Sequence, residues 1–167
     1  MNEEKVVPII TVIGKSGAGK TTLLTKLIAE FKRRGYRVGT IKHHSHSGFE
    51  IDHPGKDSWQ HAQAGSDHVV IVAPDKLASY NLLDRELSLD EIAILMTTVD
   101  LILVEGYKRA GKPAIEVVRS EISSEMISAP GQCFAVVTEI SIDVDVPQFA
   151  PDDTSAIADL ITSSYLQ

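Results

Sequence analysis

A glycine-rich segment near the amino terminus carries the most specific chemical pattern in this sequence. Residues 14–21 read Gly-Lys-Ser-Gly-Ala-Gly-Lys-Thr and satisfy G-x-x-x-x-G-K-[ST]. Glycines allow consecutive backbone N–H groups to converge on one anion, while Lys20 can reach the β- and γ-phosphates and Thr21 can coordinate Mg²⁺. The segment therefore predicts a nucleotide phosphate site with Lys20 in a catalytic role. Its predicted contacts are Gly14, Lys15, Ser16, Gly17, Ala18, Gly19, Lys20, Thr21 and Thr22.

Lys15 has two interpretations on chemical grounds. A second lysine in such a loop can add a phosphate contact, and an exposed loop lysine is the equally simple interpretation. We predict a secondary phosphate contact for Lys15.

A carboxylate follows a second apolar run. Residues 100–106 read Asp-Leu-Ile-Leu-Val-Glu-Gly, so four apolar residues separate Asp100 from Glu105. In open α/β sheets the ligand lies at the carboxyl ends of the strands, which is where Glu105 falls. A phosphate loop usually requires such a carboxylate to hold Mg²⁺ or its water. We predict a metal-binding or catalytic role for Glu105, with a surface salt bridge as the alternative, and a place at the beginning of the strand for Asp100.

A histidine-rich segment follows what we predict as the second strand. Residues 42–46 read Lys-His-His-Ser-His, and Asp52 and Asp57 come shortly after them. Lys42 and His43 are predicted to contact a phosphate, and Asp52 or Asp57 to enter the Mg²⁺ shell. Three histidines with an aspartate also form a possible zinc set, although no thiolate lies nearby. Ordinary loop histidines are the third interpretation.

The base of the nucleotide is not determined by the residues. The guanine-reading motif Asn-Lys-x-Asp is absent, and residues 136–139 read Val-Val-Thr-Glu at a predicted strand end. Glu139 could accept hydrogen bonds from guanine, or it could simply end the strand. GTP and ATP both remain open at this point.

Alternating strand and helix patterns predict the elements that position these residues. The predicted strands cover 6–13, 37–42, 68–73, 77–82, 100–104, 114–118 and 134–138. The strand over 77–82 is predicted to pair with the strand over 68–73 after a turn around Asp75. The predicted helices run from Thr21 to just before Gly35, over 56–64 and from a capping box at Ser88. A further helix, capped by Asp152 and Asp153, is predicted at the carboxyl-terminal end. This alternation predicts an α/β fold, a three-layer P-loop NTPase domain with a mostly parallel sheet, formed as one domain over 1–167.

Composition excludes several classes of protein. The formal net charge is −7, yet residues 1–60 carry +4 and residues 61–167 carry −11. That distribution argues against a general nucleic-acid binder and for a local anion site. A single cysteine excludes an internal disulfide framework. The longest apolar runs are too short for a membrane span, and no signal peptide is evident, so we expect a cytoplasmic protein without a membrane partner.

Four segments read together are similar to one family. They are 14–22; Val-Gly-Thr-Ile-Lys-His-His at 38–44; Asp-His-Pro-Gly-Lys-Asp-Ser at 52–58; and Asp-Leu-Ile-Leu-Val-Glu-Gly-Tyr-Lys at 100–108. Through these segments the sequence resembles the MobB family, the molybdopterin-guanine dinucleotide biosynthesis adapter proteins, from Ile10 to about Arg119.

The resemblance implies a homodimeric P-loop protein that binds GTP with Mg²⁺ and hydrolyses it weakly. It implies an accessory role beside a guanylyltransferase that attaches GMP to molybdopterin, with molybdopterin itself a possible ligand. In this resemblance Thr21 and Glu105 lie near Mg²⁺, and Lys42, His43 and Asp52, with Lys56, form the wall that faces cofactor or partner.

Two other functions are compatible with the phosphate loop. A metal-insertion GTPase of the same superfamily would explain the histidines, although the Cys-x-His-type ligand pair is absent. An ATP-dependent small-molecule kinase is the alternative of a different class, and phosphoryl transfer to an acceptor would distinguish it.

Overall fold

The structure is a computed structural model that describes residues 6–44 and 48–166. The strands are β1 (Ile9–Ile13), β2 (Val38–Lys42), β3 (His68–Ala73), β4 (Lys76–Asn81), β5 (Leu101–Glu105), β6 (Ala114–Val117), β7 (Cys133–Val137) and β8 (Gln148–Phe149). The α-helices are α1 (Lys20–Arg33), α2 (Asp57–Gln63), α3 (Leu89–Ala93) and α4 (Thr154–Tyr165), and a 3₁₀ turn covers Ile94–Met96. No described helix has the length and hydropathy needed to cross a bilayer.

The chain divides into two compact units. The first comprises Met1–His43 and Ser88–Gln167, and the second comprises His44–Leu87. The prediction of one domain over 1–167 stays a prediction.

The first unit is built on a six-stranded sheet in the order β2-β5-β1-β6-β7-β8. Every pairing in it is parallel. Central strands of a parallel sheet are covered on both faces, and all five residues of β1 and of β5 are accordingly buried. The predicted α/β class with a mostly parallel sheet is confirmed.

Helices cover this sheet on both faces. On one face, α1 and α4 pack through Leu27, Phe31 and Ile157 onto Ile10 and the other inward residues of the sheet. On the opposite face, Leu89 of α3 packs against strand residues of β1 and β5. The arrangement is the predicted three-layer one.

The structure tests the predicted capping at the starts of two helices, α3 and α4. Ser88 forms the predicted capping box, because its backbone N–H donates to Glu91 and its hydroxyl accepts from the Glu91 N–H. The predicted side-chain cap of α4 is wrong: Asp153 holds the N-cap position but makes no capping bond. Its carboxylate instead accepts a hydrogen bond from the Ala150 N–H at 2.9 Å, which stabilises the turn before the helix.

Strand boundaries differ by a few residues from the prediction. β1 begins at Ile9 rather than at 6, since Pro8 has no N–H to donate to a ladder. The Pro8 carbonyl still accepts from the Ile102 N–H at 2.9 Å. β8 was not predicted, because two residues are too short to show a period.

The second unit consists of α2 and the antiparallel β3–β4 hairpin, with Val69 paired to Tyr80 and Val72 to Leu77. The predicted short helix and the predicted pairing of the two strands are confirmed. Val69 is the one apolar residue that is buried in the described part of this unit. Much of the hairpin's apolar surface is therefore exposed.

Candidate functional site

Strand register brings the predicted site residues to one edge of the parallel sheet. Lys42, the last residue of β2, lies opposite Glu105, the last residue of β5, and Val12 of β1 lies opposite Glu105 on its other side. The glycine-rich loop leaves β1 two residues later. Because parallel strands all end at the same edge, the loop, the carboxylate and Lys42 meet there.

The glycine-rich loop takes conformations that side chains would oppose. Gly14, Gly17 and Gly19 have φ angles of 145°, 78° and 99°. A Cβ on Gly14 would stand 2.4 Å from the Val117 carbonyl oxygen, so the loop lies against the end of β6. Gly19 is the N-cap of α1, whose first N–H groups have no side-chain cap. Free N–H groups at a helix N-terminus favour an anion.

Lys20 folds back over this loop. Its Nζ donates to the carbonyl oxygens of Gly14 at 3.0 Å and Lys15 at 2.8 Å. Desolvation by burial lowers the pKa of Lys20, with the charge of Glu105 opposing and that of Lys42 reinforcing the shift. The ammonium group is therefore held at the mouth of the loop by acceptors that a phosphate would outcompete.

Glu105 is a buried carboxylate that joins the glycine-rich segment to β2. It is 6% exposed, its Oε2 accepts from the Thr21 hydroxyl at 2.8 Å, and its Oε1 accepts from Lys42 Nζ. Burial raises the pKa of Glu105, but hydrogen bonds from Lys42 and Thr21 outweigh it, and the net shift is downward. Glu105 is thus an ionised carboxylate facing the phosphate loop.

The Thr21 hydroxyl and the Glu105 carboxylate fit a magnesium ion. Both are hard oxygen donors of the kind Mg²⁺ prefers. Two adjacent ligands of an octahedral ion at about 2.1 Å lie about 3 Å apart. The observed separation of 2.8 Å matches that spacing.

Lys15 contacts a segment that the sequence did not connect with the loop. Its Nζ donates to Ser123 Oγ at 2.5 Å and to Glu125 Oε2 at 3.3 Å. Gly17 also approaches this segment, since a Cβ on it would stand 3.5 Å from the Ile122 side chain. Residues 119–125 follow β6 without a periodic pattern, so the sequence offered no signal for Ser123.

His43 packs against the turn that follows Glu105. Its ring lies 4.3 Å from that of Tyr107, centroid to centroid, and its backbone N–H donates to the Glu105 carbonyl at 3.0 Å. Gly106 has a φ of 98°, and a Cβ there would meet the His43 Cβ at 3.0 Å. His43 therefore lies at the predicted edge, and its role as a phosphate contact stays a prediction.

The remaining loop residues differ in exposure. Ala18 is buried and its N–H donates to the Lys15 carbonyl at 3.2 Å, which closes the loop on itself. Ser16 and Thr22 are exposed. The Thr22 carbonyl accepts a hydrogen bond from the Thr25 hydroxyl, within the first turn of α1. Their phosphate contacts stay predictions.

Glu139 lies just past β7 at the same edge. Its Oε1 accepts from both the backbone N–H and the hydroxyl of Ser120, at 2.7 and 2.6 Å. These bonds lower the pKa of Glu139. The carboxylate is thus ionised and fixed in direction, and the guanine contact stays a prediction.

Asp52 belongs to the second unit, and its predicted place in the Mg²⁺ shell stays a prediction. Its carboxylate accepts from the His53 N–H at 2.8 Å and from the Tyr80 hydroxyl at 3.2 Å. Asp57 begins α2. His46 of the possible zinc set lies outside the described residues, and within 6–44 and 48–166 no group of three metal-ligating side chains is present.

Comparison with known proteins assigns the chain to a family. The profile of the family described as molybdopterin guanine dinucleotide synthesis protein B, MobB, matches residues 9–139. The molybdopterin-guanine dinucleotide biosynthesis adapter protein of Haemophilus influenzae is 36% identical over 157 residues, 93% of this chain and 88% of that protein. The Escherichia coli protein of the same name is 32% identical over 167 residues, 96% and 95% of the two chains.

Solved structures agree with this assignment. A crystal structure of molybdopterin-guanine biosynthesis protein B matches with a TM-score of 0.75 at 32% identity over 93% of this chain and 98% of that one. Bacillus subtilis MobB matches with a TM-score of 0.76 at 26% identity over 93% and 96%. The chain therefore belongs to the MobB family.

Proposed function

We propose that this chain is an adapter protein of molybdopterin guanine dinucleotide synthesis that binds GTP with Mg²⁺ at its glycine-rich loop. The observation that carries the proposal is the meeting of Thr21, Glu105 and Lys20 at one sheet edge, with a 2.8 Å hydrogen bond between Thr21 and Glu105. Relatives that carry the adapter name support the pathway.

Each residue of the site has a physical task in this proposal. The N–H groups from 14 to 21 surround the phosphates, and the dipole of α1 adds partial positive charge. Lys20 exchanges the carbonyls of Gly14 and Lys15 for phosphate oxygens. Thr21 and Glu105 hold Mg²⁺, which neutralises phosphate charge when it is bound.

Lys42 explains why such a site would hydrolyse GTP slowly. Its ammonium group is bound to Oε1 of Glu105, the carboxylate that the activation of an attacking water would require. A carboxylate neutralised in this way is a weak base. The site is therefore suited to binding GTP and reporting its presence to a partner more than to hydrolysing it rapidly.

Titration with fluorescent GTP and ATP, each with and without Mg²⁺, tests the nucleotide assignment. We expect Mg²⁺-dependent binding that prefers GTP and is lost in Lys20→Ala. Glu105→Gln should keep the fold but lose the Mg²⁺ dependence. Lys32→Ala, on the exposed face of α1, is the matched lysine control and should bind as the wild type does.

Two other outcomes of this titration would contradict parts of the proposal. Preference for ATP would contradict the GTP assignment and favour the kinase alternative. Unchanged Mg²⁺ dependence in Glu105→Gln would contradict the metal role of Glu105.

We also infer a homodimer formed through the β3–β4 hairpin. Val72 and Leu77 are cross-strand partners, and they are 73% and 65% exposed. A two-stranded sheet is marginally stable by itself, and its strands have unpaired edges. A second copy presents the same apolar strands and edges, so it supplies a self-complementary partner.

Light scattering tests this assembly. We expect a mass near twice 18.2 kDa for the wild type and a monomer for Val72→Lys with Leu77→Lys. Leu95→Lys is the matched control, because Leu95 is similarly exposed, at 77%, in the first unit. A monomeric wild type at micromolar concentration would contradict the homodimer.

The partner in this proposal is the guanylyltransferase that joins GMP to molybdopterin. Co-purification with that enzyme, compared between the wild type and Lys20→Ala with GTP present, tests whether nucleotide occupancy controls the contact. We expect capture by the wild type with GTP and reduced capture by Lys20→Ala. Equal capture in every condition would contradict an adapter that responds to its nucleotide.

A further inference from the structure

A basic cleft lies at the edge of the sheet opposite the glycine-rich loop. Its volume is about 830 Å³, and its walls are the loop 108–113, the loop 127–132, Phe134 and Tyr165. Pro113 directly precedes β6 and Gln132 directly precedes β7, while Tyr165 ends α4. The cleft therefore lies at the amino ends of the strands, across the sheet from the proposed GTP site.

Two cationic side chains in this cleft are available to a ligand. Lys108 and Arg109 are exposed, and neither has an ion-pair partner in the described parts of the chain. Lys112, in the same wall, is bound to Asp90 at 2.5 Å. The protein as a whole has a net charge of −7, so this local excess of positive charge stands out from its surroundings.

A buried carboxylate that the GTP site does not use fixes one wall. Glu116 is 1% exposed and points away from α1, and its two oxygens accept the backbone N–H groups of Ile127 at 2.5 Å and Ser128 at 2.9 Å. A buried carboxyl group that accepts two backbone hydrogen bonds is costly to move, because moving it would leave buried polar atoms without partners. The loop 127–132 is accordingly held in place along β6.

The second wall is joined to the first by one side chain. Gln132 Nε2 donates to the Lys108 carbonyl at 2.9 Å, and Gln132 Oε1 accepts from the Ala129 N–H at 3.3 Å. The backbone that carries Lys108 and Arg109 is thus fixed relative to the opposite wall. The separation of the two walls is set before any ligand arrives.

Aromatic rings form the remaining side. Phe134 and Tyr165 pack edge to face with centroids 5.2 Å apart. Rings of this kind provide an apolar surface against which a flat ligand can pack. The cleft therefore combines cationic groups with an aromatic side.

We propose that this cleft binds a phosphate monoester attached to a flat, fused nitrogen heterocycle, and that its ligand is a phosphorylated pterin. Lys108 and Arg109 contact the phosphate, and the ring system packs toward Phe134 and Tyr165. The choice of a pterin rests on the proposed function, since molybdopterin is a pterin with a phosphate group. GMP shares the chemistry of phosphate and fused ring, so the experiment includes it.

Fluorescence anisotropy of neopterin monophosphate, with the full-length protein, tests this cleft. We expect saturable binding that weakens with salt, is stronger than that of GMP, and is strongly reduced for unphosphorylated neopterin. Lys108→Ala and Arg109→Ala should each weaken binding about tenfold, the loss of about one charge-assisted hydrogen bond. Lys32→Ala should bind normally, and circular dichroism should show all three variants folded.

A parallel titration with fluorescent GTP separates this proposal from the previous one. Lys108→Ala should bind GTP as the wild type does, because the two sites lie at opposite edges of the sheet. Normal GTP binding with no binding of neopterin monophosphate would overturn the cleft assignment alone. Loss of GTP preference with retained pterin binding would overturn the nucleotide assignment alone.

Two further outcomes would overturn the proposed ligand. Tighter binding of GMP than of neopterin monophosphate would assign the cleft to a nucleotide. Reduced capture of the guanylyltransferase by Lys108→Ala, without any binding of neopterin monophosphate, would assign the basic surface to an acidic protein partner.

Discussion

Glu105 is the carboxylate that contacts both Thr21 and Lys42 at the candidate site of the first unit. It is buried at the end of β5 and accepts a hydrogen bond from each of them. Removing Lys42 leaves the carboxylate buried with one charged partner fewer, which shifts its ionisation toward the neutral form. Substitution of Lys42 therefore tests the ionisation of Glu105 in the protein without bound nucleotide.

We expect Lys42→Met to lower the free energy of unfolding at pH 7 by about 1 kcal/mol, a modest value because the exposed ammonium group is screened by solvent. The pKa of Glu105 lies below its ordinary value of 4.5 in the folded state. Its stabilising contribution is therefore full above pH 4.5 and is lost as the pH falls through the folded pKa. Urea denaturation with a chelator present measures the free energy of unfolding. The values for the wild type and Lys42→Met should differ at pH 7 and agree in strong acid.

Lys26→Met is the control for this prediction, because Lys26 pairs with an exposed carboxylate, Asp152. That variant should unfold as the wild type does. An equal loss of stability for Lys42→Met at both pH values would show that its effect comes from packing rather than from the charge of Glu105.

At the scale of elements, α1 and α4 are joined by a charged network at their surface. Arg34 at the end of α1 donates to Glu30 at 2.7 Å, to Asp159 of α4 at 2.6 Å and to the Ser155 carbonyl at 3.0 Å. Hydrogen bonds from Arg33 and Arg34 lower the pKa of Glu30 to about 2. Glu30 thereby orients the guanidinium group that reaches α4.

We expect Glu30→Gln to lower the midpoint of thermal unfolding at pH 6 and to have less effect as the pH approaches 2. The ionised form of Glu30 stabilises the fold fully above pH 4.5 and loses that effect as the pH falls through about 2. Scanning calorimetry across this range measures the effect. Glu50→Gln, an exposed glutamate in the second unit, is the charge-matched control. A difference that persists at pH 2 would contradict the ionic origin.

At the scale of the whole molecule, the two units differ in how much apolar surface they bury. The first unit has cores on both faces of its sheet. In the second, Val69 is the one buried apolar residue among those described, while Val72 and Leu77 are exposed. Local stability follows buried apolar contact, so the second unit should open more readily by itself.

Hydrogen exchange measured at low and high protein concentration tests this difference. We expect amides of β1 and β5 to be strongly protected at both concentrations. Protection of β3 and β4 should rise with concentration, because the proposed second copy covers the hairpin. Concentration-independent protection of β3 and β4 would contradict assembly through this hairpin.

The sequence by itself determined the features that depend on local pattern. Glycine spacing and the order of strand, loop and helix identified the phosphate loop, and an apolar run identified Glu105 at a strand end. The capping box at Ser88 was also predicted correctly, because its two hydrogen bonds join residues three apart. Such features are specified within one turn or one strand.

Tertiary structure alone decided which distant residues meet. The pairing of Lys42 with Glu105 follows from the register of β2 and β5, and the contact of Lys15 with Ser123 spans 108 positions of the chain. The basic cleft has the same origin, since Gln132 joins a loop before β7 to the Lys108 backbone. Register and loop packing depend on how the whole sheet assembles, and for that reason no local periodicity reveals them.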